Sequence, residues 1–300
     1  MGRALRRALQ SVSSCRHAMI ASGREGSEDA ELLAASAPLA RLLAERLCGA
    51  KLGRDSCAAL HGVWQDLRRA GLAATPARHA AFFLRFLGRA QGTPRILVSG
   101  AADYGMLEML AAARLGSGAR CEATVLDLCP TPLLLCAWYG ARMGIPVRTL
   151  ASDLLAHREP EAFDLVCTHS LLRSFAPASQ GEAVARWHEL LRPGGALVTV
   201  TRIDPEGGGP AAGASPEQAD ALATRAAAEA RARPDLADLD PAAFAERARR
   251  FAAGALGYPV GSERDLAALF EAQGFAIEHL EVRRVGGSLT EAAHAPGVAR

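Results

Sequence analysis

RILVSGAADYGMLEMLAAARLGSGARCEATVLD, residues 95–127, is the stretch whose reading decides the fold. A short apolar run, 96–99, ends at Gly100. The small residues Gly100, Ala101 and Ala102 follow, then an apolar stretch of helical character, then a second apolar run closed by Asp127. The order is strand, turn, helix, strand, with an acid at the end of the second strand. Units of this kind bind nucleotide-type ligands outside the carboxyl ends of their strands. Small residues in the turn let the backbone approach a ligand, and they equally suit an ordinary, tightly packed turn. The segment is not GxGxxG, so a dinucleotide fingerprint is absent.

Outward from this unit, β-branched runs at 96–99, 123–126, 147–150, 163–168 and 196–201 alternate with helical stretches near 104–114, 131–143 and 178–191. Such alternation predicts an α/β fold, a doubly wound, mostly parallel sheet with helices on both faces. Residues 1–92 read as helical throughout. Leucines recur at helical spacing between Ser27 and Gly49, a second helix is expected over 54–70, and a third over 76–91 with Phe82, Phe83, Phe86 and Leu87 on its apolar face. The expected organisation is an N-terminal helical cap or substrate region, 1–92, and a sheet domain, 93–300, carrying a helical insertion at about 205–261. Within it, 204–214 is rich in glycine and proline and reads as a loop. Helices follow near 216–232 and 241–254, the first with so few large apolar residues that it is expected to be largely exposed. Ser262 starts a further helix, 275–285 reads as a strand, and the last 15 residues are expected to fray.

Three more features stand in order along the chain. Ser152-Asp153 ends the third strand, Phe163-Asp164-Leu165-Val166 leads into Thr168-His169-Ser170, and Leu190-Leu191-Arg192-Pro193-Gly194-Gly195 joins a helix to the fifth strand. With the opening unit, and with LAALFEAQGFAIEHLEV at 266–282, this series resembles the class I (Rossmann-like) S-adenosylmethionine-dependent methyltransferases. The resemblance covers about 95–203 and 262–285. It implies S-adenosylmethionine as cofactor and methyl transfer as activity, with a small-molecule acceptor. The family's loop is usually GxGxG, preceded by an acid. Here Val98 stands at the acid position, and Ala102 and Tyr104 stand where glycines would fall.

Carried over position by position, the resemblance implies that Gly100, Ala102 and Asp103 meet the methionine moiety, Asp103 supplying the carboxylate for its amino group. Asp127 would hold the ribose and Leu128 would lie beside the adenine. Asp153 would accept from the adenine amine, Leu154 would pack on the ring, and Thr168 would line the passage to the acceptor. His169 is the candidate base, since its unperturbed pKa suits neutral pH; a histidine there also simply hydrogen-bonds locally. Tyr104 is the second candidate, orienting the acceptor or facing the sulfonium by cation–π attraction. Trp64, His61, His79 and Phe83 are expected to pack in the cap, although a lid there would exclude water. Two alternatives stay open: an enzyme of the same fold that uses another carbon of the cofactor, by aminocarboxypropyl transfer or cyclisation releasing methylthioadenosine, and a non-catalytic protein-binding module.

The composition sets bounds. Of 300 residues, 50% are apolar and 22% charged, an ordinary balance for a globular protein, and the net charge of +2 gives no reason to expect nucleic acid or an anionic membrane as partner. No apolar run is long enough to span a bilayer. The early arginines Arg3, Arg6, Arg7 and Arg16 read as a basic first helix rather than a transit peptide. Seven cysteines, Cys15, Cys48, Cys57, Cys121, Cys129, Cys136 and Cys167, include no CxxC pair. No metal site is expected, only reduced thiols in a cytoplasmic protein active in small-molecule metabolism. A homodimer is left open. A GxSxG elbow is absent, which argues against a serine hydrolase. Thr168-His169-Ser170-Leu171 is not the (D/N/S)PP(Y/F/W) motif of enzymes that methylate nucleic-acid amines.

Overall fold

The structure is a computed structural model that describes residues 25–48, 55–89, 92–115, 121–204, 214–255, 257–285 and 289–299. The expectations for the basic start with Cys15, and for the glycine-rich loop over 205–213, lie outside these residues. Among the described residues, four α-helices precede the sheet: α1 (Glu25–Leu47), α2 (Asp55–His61), α3 (Trp64–Arg69) and α4 (Ala80–Leu87). The sheet region runs β1 (Arg95–Ser99), α5 (Gly105–Leu115), β2 (Glu122–Asp127), α6 (Pro130–Met143), β3 (Val147–Ala151), β4 (Phe163–His169), α7 (Pro177–Leu190) and β5 (Leu191–Ile203). Then come α8 (Pro216–Ala232), α9 (Pro241–Gly254), α10 (Glu263–Glu271), β6 (Phe275–Val285) and β7 (Leu289–Ala299).

One seven-stranded sheet has the order β3-β2-β1-β4-β5-β7-β6. Strands β1 to β5 pair in parallel, and β7 is antiparallel to both β5 and β6. The central strands are unbroken apolar runs because both faces are covered: Ile96 to Ser99 and Ala123 to Leu126 are all buried, whereas β3, at the edge, is half to fully exposed. One core cluster packs α4, α5 and α6 on one face, with Phe82, Phe83, Phe86 and Leu87 buried as expected. A second packs α7 and α10 on the other face around Trp187 and Phe270.

Four expectations need correction. The helix expected over 54–70 divides at Gly62-Val63 into α2 and α3, and the one expected over 76–91 is a 3-10 turn, Pro76–His79, followed by the short α4. The C-terminal residues expected to fray contain β7. Its sequence, LTEAAHAPGVA, has weak strand propensity, and the pairing comes from two neighbouring strands that supply backbone partners on both sides. Pro296 lies opposite Ile277, beside a register shift, where a missing N–H is tolerated. Finally, α8 is not largely exposed. Ala219, Ala223, Ala226, Ala227 and Ala230 are buried, and Ala226 and Ala230 join Val63, Leu67, Leu236, Phe244 and Ala248 in a third cluster. Small side chains there let α8 lie close to its neighbours.

Candidate functional site

The order β3-β2-β1-β4 lines up four strand ends, and the crevice between β1 and β4 is where the winding direction reverses. Asp127 stands at the end of β2. Its Oδ2 accepts the Ala101 N–H at 2.9 Å and its Oδ1 accepts the Cys129 N–H at 2.7 Å. Burial raises its carboxyl above the usual range, and those two N–H bonds, with nearby His61, offset part of the rise. A carboxylate has about four acceptor positions, so one lone pair per oxygen remains for hydroxyl donors. Beside it, Leu128 is 48% exposed, an apolar side chain held at the mouth of the crevice. At the end of β3, Asp153 is exposed and its Oδ1 accepts the Leu155 N–H at 2.9 Å. His169 ends β4 half-buried, its ring 5.7 Å from that of His79 and 6.2 Å from that of Phe83, both contributed by the helices before the sheet. Ser170 follows with φ of 60°, a left-handed conformation costly for a non-glycine residue; its N–H donates to Val200 O at 2.7 Å.

The methionine end of the expected site is arranged differently from the sequence reading. Gly100 has φ of 72°, and a Cβ there would lie 2.7 Å from Leu171 Cδ1, so the glycine makes room for Leu171 rather than for open space. Ala102 is half-buried in the same turn. Asp103 is buried. Its Oδ1 accepts the Gly105 N–H at 2.8 Å and its Oδ2 takes Arg68 Nη1, while Arg68 Nη2 reaches Glu108. Burial opposes the charge on Arg68, and the two carboxylates more than offset it. Asp103 is therefore a partner of α3, not an open ligand for an amine.

Tyr104 is fully buried, hydrogen-bonded to Ser36 Oγ at 2.9 Å and stacked on Tyr139 at 4.7 Å, with Arg68 over its ring. Burial pushes its phenol upward. It packs the helices before the sheet onto α5 and α6. Leu154 is core, packed in the cluster with Leu97 and Leu126, leaving Leu155 half-buried beside it. Thr168 is fully buried on β4 opposite Thr199, on the same face as Val166, which packs toward α7. Two cavities, of about 460 and 390 Å3, lie elsewhere: one between α10 and β6, the other between α1 and α3.

The sequence reading missed one constellation. Cys48 follows α1, Cys57 and His61 lie on α2, and Cys129 caps the N-terminus of α6, two residues after Asp127. Their ligand atoms all lie within 4.8 Å of one another. The sulfurs of Cys48, Cys57 and Cys129 are 3.3, 3.3 and 3.5 Å from His61 Nδ1, and Cys48 and Cys129 are 3.5 Å apart. The hydrogen bond with Cys57, then that with His61, holds the Cys129 thiol well below the ordinary cysteine range. The expectation of scattered thiols rested on the lack of a CxxC pair; here the set is gathered from three elements. The one local signal was Cys57 and His61 at i and i+4, on one face of a helix.

No protein-family model matches the sequence, and no curated protein matches it. Solved structures do. The Burkholderia thailandensis 1,6-didemethyltoxoflavin-N1-methyltransferase, solved with S-adenosylhomocysteine and 1,6-didemethyltoxoflavin, is similar at 19% identity and a TM-score of 0.51, over 87% of this chain and 89% of that one. The N-methyltransferase NodS of Bradyrhizobium japonicum, solved with S-adenosylhomocysteine, is 17% identical at a TM-score of 0.48, over 79% and 99%. With the strand order, the first of these gives the chain the class I methyltransferase fold.

Proposed function

We propose that the chain is an S-adenosylmethionine-dependent methyltransferase acting on a small-molecule acceptor. The observation that carries this reading is Asp127 at the end of β2, with acceptor positions to spare and exposed Leu128 beside it. The adenosine half of the cofactor fits the residues present. Asp127 accepts from the ribose hydroxyls, Leu128 offers an apolar face to the adenine, and Asp153 accepts from its amine. When bound, the cofactor supplies an electrophilic sulfonium methyl. The chain's own part is to align the acceptor and exclude water, with His79 and Phe83 beside the crevice. His169 takes the proton from an acceptor that begins protonated.

The helical cap at 1–92 and the insertion at about 205–261 are the regions we assign to acceptor recognition. We propose a cytoplasmic protein, because the six cysteines among the described residues form no disulfide, as in a reducing compartment; no described helix is long and apolar enough to cross a membrane.

The contacts of Asp103 with Arg68, and of Leu171 with Gly100, favour a second reading, a non-catalytic module whose helices bind a protein partner. Calorimetry with S-adenosylmethionine separates the two. The proposal expects binding, and an affinity loss of roughly tenfold to a hundredfold in Asp127→Asn, the range for losing a hydrogen bond to a charged group. It also expects S-adenosylhomocysteine as product when candidate acceptors are supplied. Methylthioadenosine would instead indicate transfer or cyclisation through another carbon, and absence of binding would leave the non-catalytic reading.

A further inference from the structure

The geometry points to a tetrahedral zinc site formed by Cys48, Cys57, His61 Nδ1 and Cys129, which we propose fastens the helices before the sheet to the loop that follows Asp127. Zinc in structural sites takes four nitrogen and sulfur ligands, with Zn–S near 2.3 Å and Zn–N near 2.0–2.1 Å. A regular tetrahedron of those lengths has edges of about 3.8 Å between sulfurs and about 3.5 Å between sulfur and nitrogen. The structure has 3.5 Å for Cys48 to Cys129, and 3.3, 3.3 and 3.5 Å for the three sulfurs to Nδ1. Four of the six edges are thus near these lengths, and the two from Cys57 to the other sulfurs lie within 4.8 Å, so four soft or borderline donors from three separate elements converge as zinc ligands do. Four protein ligands complete the coordination shell, so the site is structural and leaves no position for a substrate.

The surroundings fit a bound thiolate. Cys129 is the N-cap residue of α6, at the positive end of that helix. Fully buried Thr131 places its hydroxyl 3.2 Å from Cys48 Sγ. Partners of this kind orient ligands and tune the metal. The chemistry of placement is equally direct. Cys129 is bonded through its N–H to Asp127, so a metal at this point holds α1 and α2 against the acid that ends β2. The metal site stands on its own geometry; only its effect on the cofactor rests on the methyltransferase reading.

The test uses the full chain purified with reductant and without chelator. Elemental analysis should find about one zinc per chain, retained in Cys121→Ser and lost in Cys57→Ser and Cys129→Ser. The wild-type chain, stripped and reduced, is then titrated with cobalt(II). Intense tetrahedral d–d bands with sulfur-to-cobalt charge transfer, displaced by zinc, are expected, and this readout holds even where a variant fails to fold. Calorimetry on the stripped chain should show weaker S-adenosylmethionine binding, restored by zinc. Substoichiometric zinc with no tetrahedral cobalt spectrum overturns the site, as does metal retained in Cys57→Ser and Cys129→Ser, or a Cys48–Cys129 disulfide in the protein as isolated.

Discussion

Tyr104 shows how a single side chain divides between two roles. From the sequence it stands in the cofactor loop, which made it a candidate for the acceptor site. In the fold its phenol points into the helices before the sheet, where the hydroxyl meets Ser36 and the ring lies flat on Tyr139. Replacing it with phenylalanine keeps the stacking and removes one buried hydrogen bond, since Ser36 Oγ still donates to Leu33 O. Tyr104→Phe is therefore expected to lower stability by about 0.5–1.5 kcal/mol in urea denaturation and to leave turnover of the enzyme unchanged. A loss of turnover with full stability would return Tyr104 to the site. Asp127 and Leu128 stood out in the sequence because an acid closing a second strand is a local signal. The role of Tyr104 was not legible, because burial depends on what the distant helix α1 covers.

At the scale of the element, α8 shows the same limit of local reading. Its alanines gave no hydrophobic stripe, yet Ala226 is fully buried while Ala228, two residues on, is exposed. Closeness, not side-chain size, decides the packing there. Ala226→Leu should cost about 1–3 kcal/mol through overpacking. Ala228→Leu, on the open face, should stay within about 0.5 kcal/mol of wild type. Equal urea midpoints for the two variants would place α8 away from α3. The bounds of α8 and α9 were readable from Ser215-Pro216 and Asp240-Pro241, whose side chains cap the first turns by accepting from Gln218 N and Ala243 N. The strand β7 was not readable, since its pairing comes from β5 and β6 and not from its own residues. The alternation of apolar runs and helices from 95 to 203 gave the parallel half of the sheet, because strands buried on both faces must be apolar along their length.

Across the whole molecule, the short helix α3 joins regions far apart in sequence. Asp66, nearly fully buried, takes Arg41 of α1 and Arg247 of α9. Arg69 takes Asp238, ahead of α9, and Arg68 takes Asp103 and Glu108 at the start of α5. The helices before the sheet, the insertion after β5 and the loop after β1 thus meet on six residues. The Arg68–Asp103 pair is the most consequential, because both side chains are less than a tenth exposed. Removing one member of a buried pair strands the other charge and costs about 3–5 kcal/mol, whereas removing both costs less than the sum. Arg68→Ala is accordingly expected to be strongly destabilising in urea denaturation, and Arg68→Ala/Asp103→Ala to recover part of that loss. Asp103→Asn should lower stability more than it lowers affinity for S-adenosylmethionine, since the carboxylate serves α3. Undiminished stability together with lost cofactor binding in Asp103→Asn would reverse the assignment, making Asp103 the ligand of the methionine amine and Arg68 only its neighbour.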